Sequence, residues 1–423
     1  MIIISLDALK ADDIEIMKTL PNFSALINGG AYTERVKTIY PSLTYPAHTT
    51  IVTGNYPKNH GIVNNKLLQP SKKLSPWFWY RKYIKTQTLY DAAKNNGLNV
   101  ASIFWPVSSN SSIKYNMPEV FSYKKYITQE MSSLLGGSFF YQLKLFKKYS
   151  HIKKGISEPE LDDFATCCAI DTLKYYKPNL LMLHLLDLDT QRHNYGTHSP
   201  ESIEAIKRHD DRIGKIIITL KNMNIYDKTN IVVLGDHGFQ DFEKVINING
   251  VLKKHGLIST DDAGNIIDWQ AFLKSCDGSA YIYLKDPYDS GLRSKVSEML
   301  QDLSSNPSNG IKIVYNNKAL TALGGDSNAT FMLEGDTGFV FSEKISDTLV
   351  ASAIDSNRKA TGTHGYSPDN PNLDTFFVGC GPSFKNNVSI ENMNLIDVAP
   401  TLAKALRIDF PECDGKIINE LLK

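Results

Sequence analysis

Apolar residues are grouped into short, nearly continuous runs at positions 2–5, 100–104, 180–186, 231–234 and 375–378, each rich in Ile, Val, Leu or Phe. Runs this short and unbroken predict strands buried on both faces. Between them the spacing turns helical, over 12–28, 89–95, 160–176 and 202–223. In the last of these, Ile203, Ile206, Ile213, Ile216, Ile217 and Leu220 recur near the helical period. Strands alternating with helices predict a mostly parallel central sheet with helices on both faces. Asp7, Trp105, Asp189 and Asp236 each fall just past the C-terminal end of such a run. That edge is where open α/β sheets bind ligands.

The rhythm breaks over residues 242–358, where segments shorten, alternation appears at 280–284 and 338–341, and Gly324-Gly325 marks a turn. We read this as an inserted smaller α+β subdomain that divides a catalytic core of 1–241 and 359–423. A second irregular stretch, 107–155, is rich in Tyr, Ser and Lys and predicts a cap or surface excursion within the core. A chain of 423 residues is long enough for this arrangement.

Composition removes several alternatives. With 46 basic and 45 acidic residues the net charge is +1, so no global field draws the chain to a nucleic-acid duplex or a membrane. No apolar stretch approaches the roughly 20 residues of a membrane span. Nothing before residue 7 resembles a leader, so a native start at Met1 predicts a cytoplasmic protein, whereas a trimmed chain leaves an extracellular one open. Cys167, Cys168, Cys276, Cys380 and Cys413 form an odd set without Cys-x-x-Cys spacing, which predicts free thiols.

Seven side chains, Asp7, Thr44, Asp189, His193, Asp236, His237 and His364, complete an inventory for two divalent metal ions and a hydroxyl nucleophile. Asp189 and His193 are four apart, and Asp236 and His237 are adjacent. Carboxylate oxygen with imidazole nitrogen is a donor set that zinc accepts, and three histidines favour it over magnesium, with manganese or a mixed site also compatible. Each residue has a simpler reading. Thr44, just ahead of Pro46, could be a helix cap, Asp7 a turn residue, His237 a buried core histidine and His364 a loop histidine between glycines.

The order and surroundings of these residues decide between the readings. Thr44-Tyr45-Pro46-Ala47-His48, the stretch 51–66 ending Asn64-Asn65-Lys66, Phe104-Trp105-Pro106, the stretch 189–196, Gly235-Asp236-His237-Gly238 and Gly362-Thr363-His364-Gly365 together resemble the nucleotide pyrophosphatase/phosphodiesterase family of the alkaline phosphatase superfamily. The resemblance is strongest over 1–106 and 179–238. It implies an alkaline-phosphatase-like α/β fold and hydrolysis of a small nucleotide-type phosphodiester or pyrophosphate through a phosphothreonine at Thr44. It also implies two zinc ions, one held by Asp7, Asp236 and His237 and the other by Asp189, His193 and His364. Asn65 would donate to a phosphate oxygen, and Tyr45 would stack on the nucleobase, with Tyr123 a weaker candidate for the opposite wall. Ala47 and Ala8 depart from the family's frequent Asn and Gly. A phosphonate hydrolase, a glycerophosphodiester or lipid-headgroup diesterase and a catalytically silent metal-binding protein remain as alternatives. A sulfatase does not, because Thr44 lacks the Cys/Ser-x-Pro-x-Arg context.

Overall fold

The computed structural model describes residues 1–72, 74–122, 127–354 and 361–423. Its spine is an eight-stranded sheet. From edge to edge the strands are Val388–Asn394, Ala31–Lys37, Thr375–Cys380, Ile231–Leu234, Ile2–Leu6, Leu180–Leu185, Val100–Ile103 and Tyr115–Met117. All neighbours pair in parallel except Thr375–Cys380, which runs against both of its partners. The five apolar runs are all strands of this sheet.

Alternation within the central strand explains the two helical layers. Ile2, Ile4 and Leu6 pack with Phe23, Leu26, Phe164, Ile213 and Ile216 from helices Pro21–Gly29, Glu160–Asp171 and Pro200–Asn222. Ile3 points the other way, into Ala47, Ile51 and Val52 of helix Thr44–Thr53 and Leu402 of helix Val398–Leu406. The helix expected over 12–28 is broken. Leu20 is extended (φ −96°, ψ 136°) because Pro21 excludes it from helical geometry, and a new helix starts at Pro21.

Beyond the main sheet, Ala271–Ser275, Ser279–Leu284, Phe331–Gly335 and Ile311–Asn316 form an antiparallel sheet around its own apolar core, which includes Val296 and Leu300 of helix Ser290–Ser305. Strand Gln240–Ile246 pairs with Gly338–Phe341, Val350–Ser352 and Gly362–Thr363, tying this region to the segment that carries His364. Residue 359, the expected return to the core, lies outside the described residues.

A buried charge network aims helix Asp187–Tyr195 at the sheet edge. Asp162, from the neighbouring helix, accepts from the Leu186 and Asp187 amides at 3.0 and 2.9 Å and so caps that helix. Arg212, itself buried, bridges Asp162, Asp163 and Asp187 at 3.4, 2.9 and 2.9 Å, and Arg208 adds a 2.7 Å contact to Asp187. Burial opposes ionisation of Asp187, yet the two guanidiniums hold its carboxyl well below the usual range. Arg212→Met strands Asp162 as an unpaired buried carboxylate. It should lower unfolding free energy by about 3–5 kcal/mol in urea titrations; an unchanged midpoint would show that the network does not hold the helix.

Candidate active site

Register brings the first acidic side chains together. Ser5 pairs with Leu234 and Leu6 with Leu185, so Asp7 and Asp236 emerge side by side from neighbouring parallel strands while the chain after Leu185 turns into helix Asp187–Tyr195. One helical turn then sets Asp189 and His193 on a common face. Arg192 locks that helix to the segment that follows the first strand, donating to the Ala8 carbonyl and pairing with Asp13 at 2.6 Å. His364 arrives from the opposite side, behind Gly362–Thr363.

Two clusters result. In one, His237 Nε2 lies 3.4 Å from Asp7 Oδ1 and 3.2 Å from Asp236 Oδ2. In the other, Asp189 Oδ1 lies 3.4 Å from His193 Nε2 and 3.9 Å from His364 Nε2. The clusters adjoin, because the His237 and His364 rings stack with centroids 3.8 Å apart.

Hydrogen bonding fixes which imidazole nitrogen faces inward. Nδ1 of His193, His237 and His364 lies 3.0, 3.1 and 2.7 Å from the carbonyls of Gly362, Gly238 and Ser42, respectively, and can only donate to them. Their Nε2 lone pairs therefore point into the clusters. The opposing carboxylate atoms, Asp7 Oδ1, Asp189 Oδ1 and Asp236 Oδ2, are buried and accept no hydrogen bond among the described residues. Carboxylate oxygens thus face imidazole lone pairs, an arrangement satisfied either by carboxyl protons or by a bound cation. The donor chemistry fits a divalent metal at each cluster. The Glu158, Asp162 and Asp187 group also has ligand-like spacing, but Arg208 and Arg212 already neutralise it. This difference separates Asp189 from its near neighbour Asp187.

Thr44 stands beside the first cluster, its Oγ1 3.3 Å from His237 Nε2. It is the first residue of helix Thr44–Thr53 and not the cap; Leu43 holds the cap position, without a side-chain hydrogen bond. The hydroxyl is thereby free of local structure. Asn65 accepts from the Tyr45 amide through Oδ1 at 2.9 Å, which orients its NH₂ group as the remaining donor. Thr44, Asn65, Asp7, Asp189, His193 and His364 all line a cavity of about 960 Å³.

The expected stacking role of Tyr45 needs correction. Tyr45 is fully buried and absent from the cavity wall, its hydroxyl donating to Glu119 at 3.1 Å. Trp77 packs edge-on against it, centroids 5.1 Å apart, and lines the cavity together with Phe121. Tyr123 lies outside the described residues. Trp105, expected at the ligand edge, is buried against His48.

Three buried polar residues behind the site were not singled out by the sequence. His184 bridges Asp7 Oδ2 at 3.2 Å and Glu119 Oε2 at 3.0 Å. Burial disfavours its charge, but the two carboxylates raise its pKa well above the ordinary value, so it stands as a cation behind Asp7. His48 donates to the Thr44 carbonyl at 2.9 Å and fixes the first turn of that helix. The one available signal was His184 itself, a lone polar residue inside an apolar strand.

The glycines that follow His237 and His364 permit close backbone contact. A Cβ on Gly238 would sit 2.1 Å from the Asn372 carbonyl oxygen, and one on Gly365, whose φ is +86°, only 1.7 Å from that of Cys276.

A family model described as type I phosphodiesterase/nucleotide pyrophosphatase matches residues 1–367. The chain belongs to that family. Among curated members, bovine ectonucleotide pyrophosphatase/phosphodiesterase family member 3 is 24% identical over 449 residues, covering 100% of this chain and 44% of its own length. Human family member 1 is 25% identical over 452 residues, with 100% and 42% covered. The chain therefore spans less than half the length of these relatives. Among solved family structures, human ectonucleotide pyrophosphatase/phosphodiesterase 5 superposes with a TM-score of 0.70 at 20% identity, covering 100% of this chain and 99% of that one. Its murine counterpart, an inactive threonine-to-alanine variant in complex with AMP, gives 0.69 at 19% identity, again with 100% and 99% covered. The expected fold class is thus established. No helix among the described residues is long and apolar enough to cross a membrane, and the expected cytoplasmic location has no support in the structure or the relatives.

Protonation gives the clusters a test. Burial, aided by the nearby Asp189 charge, pushes Asp7 up to about 7, and burial likewise raises Asp236. Burial also keeps His237 and His364 below the ordinary histidine value, in the neutral form that ligates. Cation loading must displace the carboxyl protons. Zinc affinity should be full above pH about 7 and weaken below it, by up to about tenfold per pH unit for each displaced proton. Competition with a zinc-sensitive dye across that range checks this; a flat profile would mean that the carboxylates are ionised without metal.

Proposed function

We propose that the chain is a metal-dependent hydrolase of nucleotide-type phosphodiester or pyrophosphate bonds, with Thr44 as its nucleophile. The observation that carries this reading is the uncapped Thr44 hydroxyl at the helix start, 3.3 Å from an inward Nε2 of one acceptor cluster and in the same cavity as the other. Asp7, Asp236 and His237, with Thr44 Oγ1, would hold one divalent cation, and Asp189, His193 and His364 would hold the second; the donor set favours zinc for both. When bound, the metals supply positive charge that favours the threonine alkoxide and offsets the charge of the substrate phosphate.

The chain's own groups do the rest. Attack by Thr44 Oγ1 forms a new oxygen–phosphorus bond as the bond to the leaving oxygen breaks, giving a phosphothreonyl ester that water then cleaves. The Asn65 amide, held by the Tyr45 backbone, donates to a nonbridging oxygen. The His184 cation keeps Asp7 turned toward the cluster. Trp77 takes the base-stacking role that the burial of Tyr45 leaves open. We read residues 242–358 as the subdomain that closes the cavity opposite the sheet edge, through Lys274, Phe341 and Lys344. AMP in the related murine structure supports a small nucleotide substrate.

Thr44→Ala should reduce turnover of p-nitrophenyl thymidine monophosphate by at least about 10³-fold while metal analysis still finds two ions per chain. Full activity in that variant would sink the nucleophile assignment. Asn65→Ala should lower kcat by about 10²–10³-fold, with metal content unchanged. The thymidine diester should be cleaved well above p-nitrophenyl phosphate; the reverse order would reassign the chain as a monoesterase.

A further inference from the structure

Away from the catalytic cavity, the excursion that contributes Glu119 and Phe121 to its wall carries an unusual surface. Helices Gln129–Gly136 and Phe139–Tyr149 meet at Gly137-Ser138. The second helix buries Tyr141, Gln142, Leu145 and Phe146 against the core. Its other face leaves Phe139, Phe140 and Leu143 exposed, and Met131 and Leu135, one helical turn apart, are exposed on the first helix. Phe140 is 83% exposed and Leu135 63%, values that a core-facing amphipathic helix does not show.

Charge distinguishes this patch from an ordinary sticky surface. Between residues 131 and 157 there are five lysines, Lys144, Lys147, Lys148, Lys153 and Lys154, and no Asp or Glu, in a chain whose net charge is only +1. Lys148, Lys153 and Lys154 pair with Asp171, Glu130 and Glu160 from flanking segments. Among the described residues no carboxylate pairs with Lys144 or Lys147, which follow Phe140 at helical spacing on the same exposed side.

We propose that this apolar, lysine-flanked tip docks the protein peripherally on an anionic lipid surface. Leu135, Phe139, Phe140 and Leu143 would enter the acyl boundary while Lys144 and Lys147 meet the headgroups. A second copy of the chain fits poorly. A two-fold interface would set the same lysines against each other. A nucleic acid would satisfy the lysines yet offer no apolar layer for the aromatic tip. The proposal does not depend on the hydrolytic reading, since none of these residues lines the catalytic cavity.

Co-sedimentation of the full chain with vesicles of phosphatidylcholine alone, or with phosphatidylserine added, tests it. Binding should require the anionic lipid and fall in high salt. Phe139→Ser with Phe140→Ser should weaken it at least about tenfold, and Lys144→Glu with Lys147→Glu about fivefold for each lysine, with thermal midpoints unchanged because the side chains are exposed. Absence of wild-type binding, or equal binding to both vesicle types, overturns the proposal. So does concentration-dependent self-association in ultracentrifugation that the same variants abolish, which would assign the patch to a second copy.

Discussion

The constraint on which the site depends is electrostatic: carboxylate oxygens and imidazole lone pairs are buried facing one another, so that only carboxyl protons or a bound cation can satisfy them. The fold enforces this from outside. Each inward histidine is tethered through Nδ1 to a main-chain carbonyl, and Asp7 and Asp236 have one oxygen each tied to His184 and to the Ala8 amide. Neither rotation of a ring nor a carboxylate flip relieves the conflict without breaking a second contact. Preorganisation of this kind means that the protein bears the cost of assembling the donors during folding, so little reorganisation remains when a cation binds.

The layout of the site follows from strand register more than from loop conformation. Asp7 and Asp236 are successors of hydrogen-bonded strand residues, and Asp189 and His193 share one helical face. His237 and His364 lie in irregular backbone just past strands Ile231–Leu234 and Gly362–Thr363, and the glycine after each lets the segment lie against a neighbouring carbonyl, that of Asn372 and that of Cys276, respectively. The family assignment and the geometry agree, although identity to the full-length curated relatives is only about a quarter, because a few backbone positions carry the arrangement.

Much of this was legible in the sequence because the signals were local or periodic. The continuous apolar runs gave the inner strands, and the acidic residues just beyond them gave the ligand edge. Strands Ala31–Lys37 and Val388–Asn394 were not legible: half-exposed and largely polar, they have no apolar run to announce them. Side-chain direction was equally hidden. Motif position placed Tyr45 at the substrate, but a hydrogen bond to Glu119, 74 residues away in sequence, draws it into the core. The partnership of His184 with Asp7 spans 177 residues, and no local pattern encodes it.

Strand Thr375–Cys380 lies between Ala31–Lys37 and Ile231–Leu234, so a segment more than 140 residues after one partner and more than 330 after the other completes the middle of the sheet. A nascent chain therefore carries two unfinished strand edges until residue 380 has left the ribosome. Products of premature termination would keep those edges open to neighbouring chains. The burden of protecting them falls on the translation machinery and its chaperones, long before any catalytic question arises.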